Sequence, residues 1–287
     1  MSNETVYRDL ISTSVLAEHL GDPAWVIIDC RFDLADPAWG ENQYASGHIP
    51  GAMYAHLDHD LSGKITQRSG RHPLPDPAAF ASLLSNWGIG PEIQVVVYDQ
   101  SGGAFAARLW WMLRYFGHEC AAVLDGGYTK WIAEGKPVDL SVLPRPRVDF
   151  IPLIRPEMLV STQDVLSMMS DPSVALIDAR APVRYRGETE PIDPVAGHIP
   201  GALNRFHADN LSTQGTFIPA AELRQQFSQL LGGASPEKAV VYCGSGVTSC
   251  HHVLAMAVAG MPLPRLYAGS WSEWIRDPNR PTVPPRV

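Results

Sequence analysis

The sequence lacks the features that mark several classes of protein. It has only four cysteines in 287 residues, and none of them forms a Cys-x-x-Cys pair, so neither a disulfide framework nor a zinc or thioredoxin-type site is favoured. No run approaches the roughly 20 apolar residues of a membrane-spanning helix. The polar first ten residues lack the apolar core of a signal peptide. We therefore expect a cytoplasmic protein that holds no metal ion.

Positive charge is also scarce. The chain carries 22 Lys and Arg against 30 Asp and Glu, a formal net charge of −8, which argues against a nucleic acid or a membrane as partner. Residues 1–143 hold 17 acids and 9 bases, whereas residues 144–287 hold 13 of each, and 12 of those bases are arginines. Because arginine suits bidentate binding of carboxylates and other oxyanions, we expect an anionic substrate nearer to the second half.

What the sequence does contain is an internal duplication. The hexapeptide Gly-His-Ile-Pro-Gly-Ala at 47–52 recurs unchanged at 197–202. Four further segments recur in the same order, at offsets between 143 and 150 residues: 10–13 with 159–162, 26–31 with 175–180, 96–98 with 240–242, and 126–131 with 269–274. A solenoid repeat is only about 20–50 residues long, so this period predicts two duplicated domains, 1–143 and 157–287, joined by a proline-containing linker at 144–156.

Each copy alternates short apolar runs with longer periodic stretches. Four runs have the composition of buried parallel strands: 25–28, 93–98, 175–177 and 239–242. The stretches 105–116 and 248–259 are each stopped by a glycine, which predicts helices. Ser161 with Asp164 three residues later predicts a capping box for a helix near 162–169. The predicted fold is α/β, with two tandem domains that are each an open parallel sheet with helices on both faces.

The two copies differ where one of these strands ends. The first copy continues from Tyr98 into Asp99, and the second from Tyr242 into Cys243 and a glycine-rich loop. Such a loop at the start of a helix can turn successive backbone N–H groups inward to bind an anion. These donors should lower the pKa of a thiol below its usual value of about 8.5 and stabilise a persulfide. The sequence thus predicts a nucleophilic Cys243 in an anion-binding loop formed by Gly244, Ser245, Gly246, Val247 and Thr248.

Three other interpretations of this loop have less support. A cysteine phosphatase needs an arginine six positions after its cysteine to clamp phosphate, and Ser249 stands there. A dinucleotide fingerprint needs a third glycine at that same position and leaves Cys243 unexplained. A buried cysteine at a strand end can also be a small hydrophobic residue, but that gives no reason for the surrounding loop.

Three motifs together resemble the two-domain rhodanese-type sulfurtransferases, over nearly the whole chain. They are the loop 243–248, the duplicated Gly-His-Ile-Pro-Gly-Ala, and Gly-Ser-Trp-Ser-Glu-Trp at 269–274. The resemblance implies two rhodanese-like domains, of which only the C-terminal one has the catalytic cysteine, and no cofactor. The loop is similar to that of 3-mercaptopyruvate sulfurtransferases, whereas thiosulfate-preferring members carry an Arg-Lys pair where this chain has Gly244 and Ser245.

The resemblance implies a reaction as well. A sulfane sulfur would pass from 3-mercaptopyruvate to Cys243, with release of pyruvate, and then to a thiol, a thioredoxin-like protein or cyanide. Two alternatives stay open at this point: a thiosulfate:cyanide sulfurtransferase, and a non-catalytic persulfide carrier or binding module.

The resemblance also suggests roles for further residues. Arg184 is the expected carboxylate clamp, assisted by Arg186, while a second arginine that such enzymes carry nearby is replaced here by Ile192. His48 and Ser245 are the expected proton relay to the departing enolate. An equivalent histidine recurs in the second copy, however, so a structural role for His48 is the alternative.

Overall fold

The chain forms two compact units, and each unit includes a short segment from the other half of the sequence. The computed structural model describes residues 5–142 and 144–284. The first unit comprises Met1–Gly63, Pro75–Arg155 and Thr213–Phe217. The second comprises Lys64–Leu74, Pro156–Ser212 and Ile218–Val287. The boundaries expected from the duplication, 1–143 and 157–287, include no such exchange of segments.

The first unit is a five-stranded parallel sheet flanked by helices. Its strands are β1 (Leu10–Ile11), β2 (Trp25–Asp29), β3 (Met53–Tyr54), β4 (Gln94–Tyr98) and β5 (Ala121–Leu124). They lie in the order β1-β5-β4-β2-β3, and every pair is parallel. Its helices are α1 (Thr13–Glu18), α2 (Trp39–Ser46), α3 (Pro77–Asn86), α4 (Ala106–Tyr115) and α5 (Gly127–Ala133). Strands β2 and β4 are buried along their whole length, as their continuous apolar composition predicts.

The second unit repeats this arrangement. Its strands are β6 (Leu176–Asp178), β7 (Leu203–Asn204), β8 (Val240–Tyr242) and β9 (Arg265–Leu266), and they lie in the order β7-β6-β8-β9. Its α-helices are α6 (Thr162–Met168), α7 (Pro182–Tyr185), α8 (Ala220–Leu231), α9 (Cys250–Val258) and α10 (Ser270–Trp274). Single 3-10 turns span Pro156–Met158, His207–Asn210 and Pro236–Lys238. A parallel bridge of Leu159 to Leu266 takes the place of β1, so the strand order of the two units is the same.

Several local predictions are confirmed. The capping box is present, since the Ser161 hydroxyl and the Asp164 carboxylate each bond the other residue's backbone N–H. The predicted helix 105–116 is α4, and the predicted helix 248–259 is α9. In both units the strand that precedes the glycine-rich loop lies inside the sheet, between β2 and β5 or between β6 and β9. The loop therefore leaves the carboxyl end of an interior strand, where ligands of parallel sheets gather.

The duplicated motif holds a buried ion pair in each unit. Arg31 bonds the carboxylate of Asp29 and donates from Nη2 to the Gly47 carbonyl at 2.7 Å. The second unit repeats these contacts with Asp178, Arg180 and the carbonyl of Gly197. Because these groups are almost fully buried, each needs its partner to offset the loss of water. The motif therefore recurs for a structural reason that is common to both units.

Candidate functional site

Cys243 follows β8 directly and is held by the backbone of the next structural element. Its side chain is buried, with the residue only 2% exposed. Its N–H donates to the Ser270 hydroxyl at 3.1 Å, and its carbonyl accepts from the Trp271 N–H at 3.0 Å. Ser270 has a φ of 55°, which non-glycine residues rarely adopt. The start of α10 thus fixes the backbone of Cys243 on both sides and aims its side chain into the loop.

The loop surrounds the sulfur with hydrogen-bond donors. The Gly246 N–H donates to Cys243 Sγ at 3.2 Å. Burial raises the pKa of the Cys243 thiol, but hydrogen bonds from the hydroxyls of Ser249 and Thr248 and from backbone N–H groups outweigh burial and lower that pKa. Ser249 is fully buried at the start of α9. The loop therefore favours a thiolate, as the sequence predicts for this position.

The shape of the loop depends on Gly246. Its φ is +79°, in the left-handed region that glycine adopts without strain. A Cβ at this position would lie 2.2 Å from the carbonyl oxygen of Ala268. The loop can thus close against the chain that leads into α10 only with glycine here. Of the predicted loop residues, Val247 is buried and Thr248 is half-buried.

The corresponding loop of the first unit has the same form but holds its own anion. The Asp99 carboxylate accepts four backbone N–H bonds at 2.7–2.9 Å, from residues 101, 103, 105 and 106. Its carbonyl accepts the Tyr128 N–H, as that of Cys243 accepts the Trp271 N–H. The loop of the first unit therefore binds an anion, and that anion is the side chain of Asp99.

A histidine contacts the loop, and it comes from the segment Lys64–Leu74. His72 Nδ1 lies 2.7 Å from Ser245 Oγ, and both residues are buried. The sequence predicts His48 as the histidine that acts with Ser245 instead. In the first unit, His48 Nδ1 lies 2.9 Å from the Tyr44 carbonyl, and its ring stacks on that tyrosine.

The comparison of the two copies explains why the sequence did not point to His72. The duplication singles out residues that recur, and His48 recurs as His198, which likewise stacks on a tyrosine, Tyr185, and bonds its carbonyl. The sequence Arg71-His72-Pro73 has no counterpart in the second copy. The signal that could have identified His72 is therefore the absence of repetition.

Two arginine side chains face the residue that follows the cysteine. A Cβ on Gly244 would lie 3.0 Å from Arg71 Nη2 and 3.6 Å from both terminal nitrogens of Arg184. Arg184 Nη2 bonds Glu190 at 2.6 Å and Asp193 at 3.2 Å. Burial raises the pKa of Asp193, although the nearby Arg71 and Arg184 oppose this shift. The predicted clamp Arg184 thus lies beside the loop.

The predicted assistant Arg186 lies elsewhere. Its guanidinium is about half exposed and bonds the Glu188 carboxylate at 2.6 and 3.0 Å. Ile192, at the position where a second cation was expected, is also exposed. In the structure the second arginine beside the loop is Arg71, which the sequence does not predict.

Two negative findings concern the part of the chain that the structure describes. Within residues 5–142 and 144–284, no group of three or more His, Cys, Asp or Glu side chains could hold a metal ion. No helix in the same ranges is long and apolar enough to cross a membrane.

Comparisons with known proteins agree with the sequence motifs. The family model for the rhodanese-like domain matches twice, at residues 12–134 and 161–277. A Pseudomonas aeruginosa protein named "Probable 3-mercaptopyruvate sulfurtransferase" is 47% identical over 276 residues, 96% of this chain and 97% of that protein. The thiosulfate sulfurtransferase of Mus musculus is 33% identical over 96% of this chain and 95% of its own length.

Solved structures give the same result for the fold. The 3-mercaptopyruvate sulfurtransferase from Leishmania major superposes with a TM-score of 0.82 at 31% identity, covering 93% of this chain and 74% of that one. The duplicated sheet, the glycine-rich loop after β8 and these matches lead to one conclusion. The chain belongs to the rhodanese-like domain family, with two such domains in tandem.

Proposed function

We propose that this chain is a sulfurtransferase that moves a sulfur atom from 3-mercaptopyruvate to an acceptor through a persulfide on Cys243. The observation that carries the proposal is the Cys243 thiol, buried in a loop whose N–H and hydroxyl donors lower its pKa. The names of the P. aeruginosa and L. major relatives support this donor. No metal or organic cofactor is required, and we expect the protein in the cytoplasm.

In the first step the Cys243 thiolate attacks the sulfur of the donor. A new S–S bond forms, the donor's C–S bond breaks, and its electron pair leaves with the carbon as the enolate of pyruvate. The proton of the donor thiol ends on that carbon, so the products are pyruvate and a persulfide anion. The loop donors that favour a thiolate also suit this anion, because the charge stays within the same ring of N–H groups.

The proton must cross from sulfur to carbon during this step. Ser245 lies in the loop, two residues after Cys243, and its hydroxyl is hydrogen-bonded to His72. A serine–histidine pair can take a proton at one atom and release it at another. We therefore assign this transfer to Ser245 and His72, and a structural role to His48.

In the second step an acceptor nucleophile attacks the outer sulfur of the persulfide and restores the thiolate. A thiol, a thioredoxin-like protein or cyanide can serve, since each carries the required electron pair. The double displacement predicts ping-pong kinetics. It also distinguishes an enzyme from a non-catalytic carrier, which would stop after one equivalent of sulfur.

The test compares kcat/KM for 3-mercaptopyruvate and for thiosulfate, with cyanide as the acceptor in both assays. The proposal predicts multiple turnovers and a clear preference for mercaptopyruvate, because Gly244 and Ser245 stand where thiosulfate-preferring members of the family carry an Arg-Lys pair. A preference for thiosulfate would favour the second candidate, a thiosulfate:cyanide sulfurtransferase, which the mouse relative's name supports. A halt after one turnover with either donor would indicate a carrier.

A further inference from the structure

Asn210 lies at the centre of a buried hydrogen-bond network beside α9. The residue is fully buried, and so are His251 and His252 in the first turn of that helix. Asn210 Nδ2 lies 3.0 Å from Nδ1 of each histidine. Asn210 Oδ1 accepts from Nε of Arg205 at 3.0 Å and from its Nη2 at 2.9 Å. One side-chain amide therefore joins the chain that follows β7 to two successive residues of α9.

The contacts with Arg205 fix the orientation of this amide. A guanidinium group can only donate hydrogen bonds, so the Asn210 oxygen must face Arg205 and its NH2 group must face the two histidines. Because an NH2 group also only donates, both imidazoles must accept at Nδ1 and carry their proton on Nε2. His252 agrees with this assignment, since its Nε2 lies 2.9 Å from the Arg205 carbonyl, which can only accept. Both histidines are therefore neutral in the folded protein.

Protonation of either imidazole would break the network. A proton on Nδ1 changes that nitrogen from an acceptor into a donor, which would then face the N–H donors of Asn210. The amide cannot rotate to present its oxygen to the histidines without losing both hydrogen bonds from Arg205. The network therefore admits one protonation state of the two histidines.

The surroundings of His252 also disfavour a charged imidazole. Burial lowers the pKa of His252, and the nearby Arg205, His251 and His207 lower it further, whereas the hydrogen bond to the Arg205 carbonyl opposes this shift. Asp209, in the 3-10 turn before Asn210, acts on Arg205. From α8, the Phe227 ring packs edge-on against the His252 ring at 5.6 Å, and Gln226 bonds Arg205.

The first turn of α9 is bonded in turn to the loop that holds Cys243. The N–H groups of residues 250, 251 and 252 donate to the carbonyls of residues 247, 248 and 249 at 3.0–3.2 Å. Two of these loop residues, Thr248 and Ser249, carry the hydroxyls that bond the Cys243 thiol. A displacement of this turn would therefore displace hydrogen-bond donors of the thiol.

We propose that Asn210 is a positioning residue for the glycine-rich loop of the second unit, and that it acts only while His251 and His252 are both neutral. An opened turn takes up protons at the usual histidine pKa of about 6.5, whereas the closed turn excludes them. Acid below that pH therefore shifts the equilibrium toward the open form, and neutral pH restores the closed one. The device does not depend on the proposed reaction, because that reaction uses none of these three residues.

The first test reads the protonation of the histidines directly. The full-length protein is prepared with 15N-labelled histidine, and the imidazole nitrogen shifts are followed by NMR from about pH 8 to about pH 5. The His252 signals are identified as those missing from His252→Gln. We expect His252 to stay neutral, with its proton on Nε2, for as long as the protein is folded. A proton on Nδ1 instead, or a titration of the folded protein with a pKa of about 6.5, would overturn the proposal.

The second test measures the opening of the loop and of α9 by hydrogen exchange. Exchange is followed by mass spectrometry on peptides that cover residues 243–258 and is corrected for its intrinsic dependence on pH. In the wild type, the opening constant should rise about tenfold per pH unit below about 6.5 for each histidine that takes up a proton. In His252→Gln this rise should be about tenfold smaller per pH unit, because glutamine can accept from Asn210 without titrating. His59→Gln removes an exposed histidine of the first unit and, as the matched control, should keep the wild-type slope.

Asn210→Asp should remove the sensitivity to acid. A carboxylate at this position accepts hydrogen bonds both from Arg205 and from protonated imidazoles, so acid should no longer open the first turn of α9. A merely structural role of Asn210 would raise exchange by the same factor at every pH. A wild-type slope in Asn210→Asp or in His252→Gln would therefore overturn the proposal. Should His252→Gln fail to fold, Asn210→Asp decides by the same slope.

Discussion

The glycine-rich loops of the two units have the same form and opposite chemistry. In the first, the Asp99 carboxylate is fixed by four backbone N–H groups and is fully buried. In the second, Cys243 stands at the same place with N–H and hydroxyl groups around its sulfur. A carboxylate satisfies the loop's donors permanently, whereas a thiolate satisfies them and remains nucleophilic.

This difference shows what the fold supplies and what one side chain adds. The fold supplies an anion site at the end of an interior strand in both units. Whether that site is structural or reactive depends on the residue at its centre. Substitutions in and around the two loops test this division between fold and side chain.

The largest effect is expected at Cys243 itself. Cys243→Ser should lower kcat/KM with 3-mercaptopyruvate by about a thousandfold or more, because a serine hydroxyl in this loop has neither the acidity nor the sulfur needed to form a persulfide. The measurement is steady-state turnover with cyanide as acceptor. Cys120→Ser is the control and should keep full activity, since that half-buried thiol belongs to the first unit. Retained turnover in Cys243→Ser would contradict the mechanism.

In the loop of the first unit, substitution of Asp99 should have a large effect on the free energy of unfolding. Asp99→Ala should lower the free energy of unfolding by about 3 kcal/mol, because it leaves several buried N–H groups without an acceptor. Urea unfolding followed by tryptophan fluorescence is suitable, since six of the eight tryptophans are in the first unit. Asp99→Asn keeps the shape of the side chain and some of its hydrogen bonds. Its free energy of unfolding should therefore lie between that of the wild type and that of Asp99→Ala. A loss of less than about 1 kcal/mol in Asp99→Ala would show that the carboxylate does not hold this loop.

A smaller effect concerns the acidity of the nucleophile. Ser249→Ala removes a hydroxyl that favours the charged form of Cys243, so the thiol pKa should rise. The iodoacetamide rate increases with pH as the thiolate forms, and its midpoint should therefore move to higher pH. The control is Cys250→Ala, at the residue that follows Ser249, and it should leave the pH midpoint of alkylation unchanged. A midpoint that is unchanged in Ser249→Ala would mean that the Thr248 hydroxyl and the backbone N–H groups set the acidity without Ser249.

The smallest effect is expected where the second loop is made more like the first. Ser270 has a φ of 55°, and its equivalent Gly127 has a φ of 56°. Ser270→Gly relieves the backbone strain but loses the hydroxyl that accepts the Cys243 N–H. These terms nearly cancel, so the free energy of unfolding should change by less than about 1 kcal/mol. A loss above about 2 kcal/mol would show that the hydroxyl dominates.

The sequence predicts most of the fold because the relevant signals are local or repeated. Buried parallel strands are continuous apolar runs, and Ser161 with Asp164 forms its cap within one turn. The repeat aligns Asp99 with Cys243, and that alignment alone points to the second loop as the reactive one. These features depend on residues that are close in sequence or that occur twice.

The parts that escaped prediction depend on long-range packing. His72 and Arg71 reach the loop because Gly70 allows a close approach to Gly269 and Ser272, about 200 positions away in the chain. No local pattern encodes that approach. Arg186 illustrates the reverse case, since it is close to Arg184 in sequence, yet its guanidinium bonds Glu188 at the surface.

The most direct test of the difference between the two loops locates the transferred sulfur. The full-length protein is treated with 3-mercaptopyruvate without an acceptor and is then digested under non-reducing conditions. The mass of each cysteine-containing peptide is measured by mass spectrometry. We predict one added sulfur per chain, about 32 Da, on the peptide that contains Cys243, and its loss with product formation when cyanide is added. Sulfur on Cys30, Cys120 or Cys250 instead, or none on Cys243, would contradict the claim that the second loop differs from the first by holding a reactive sulfur.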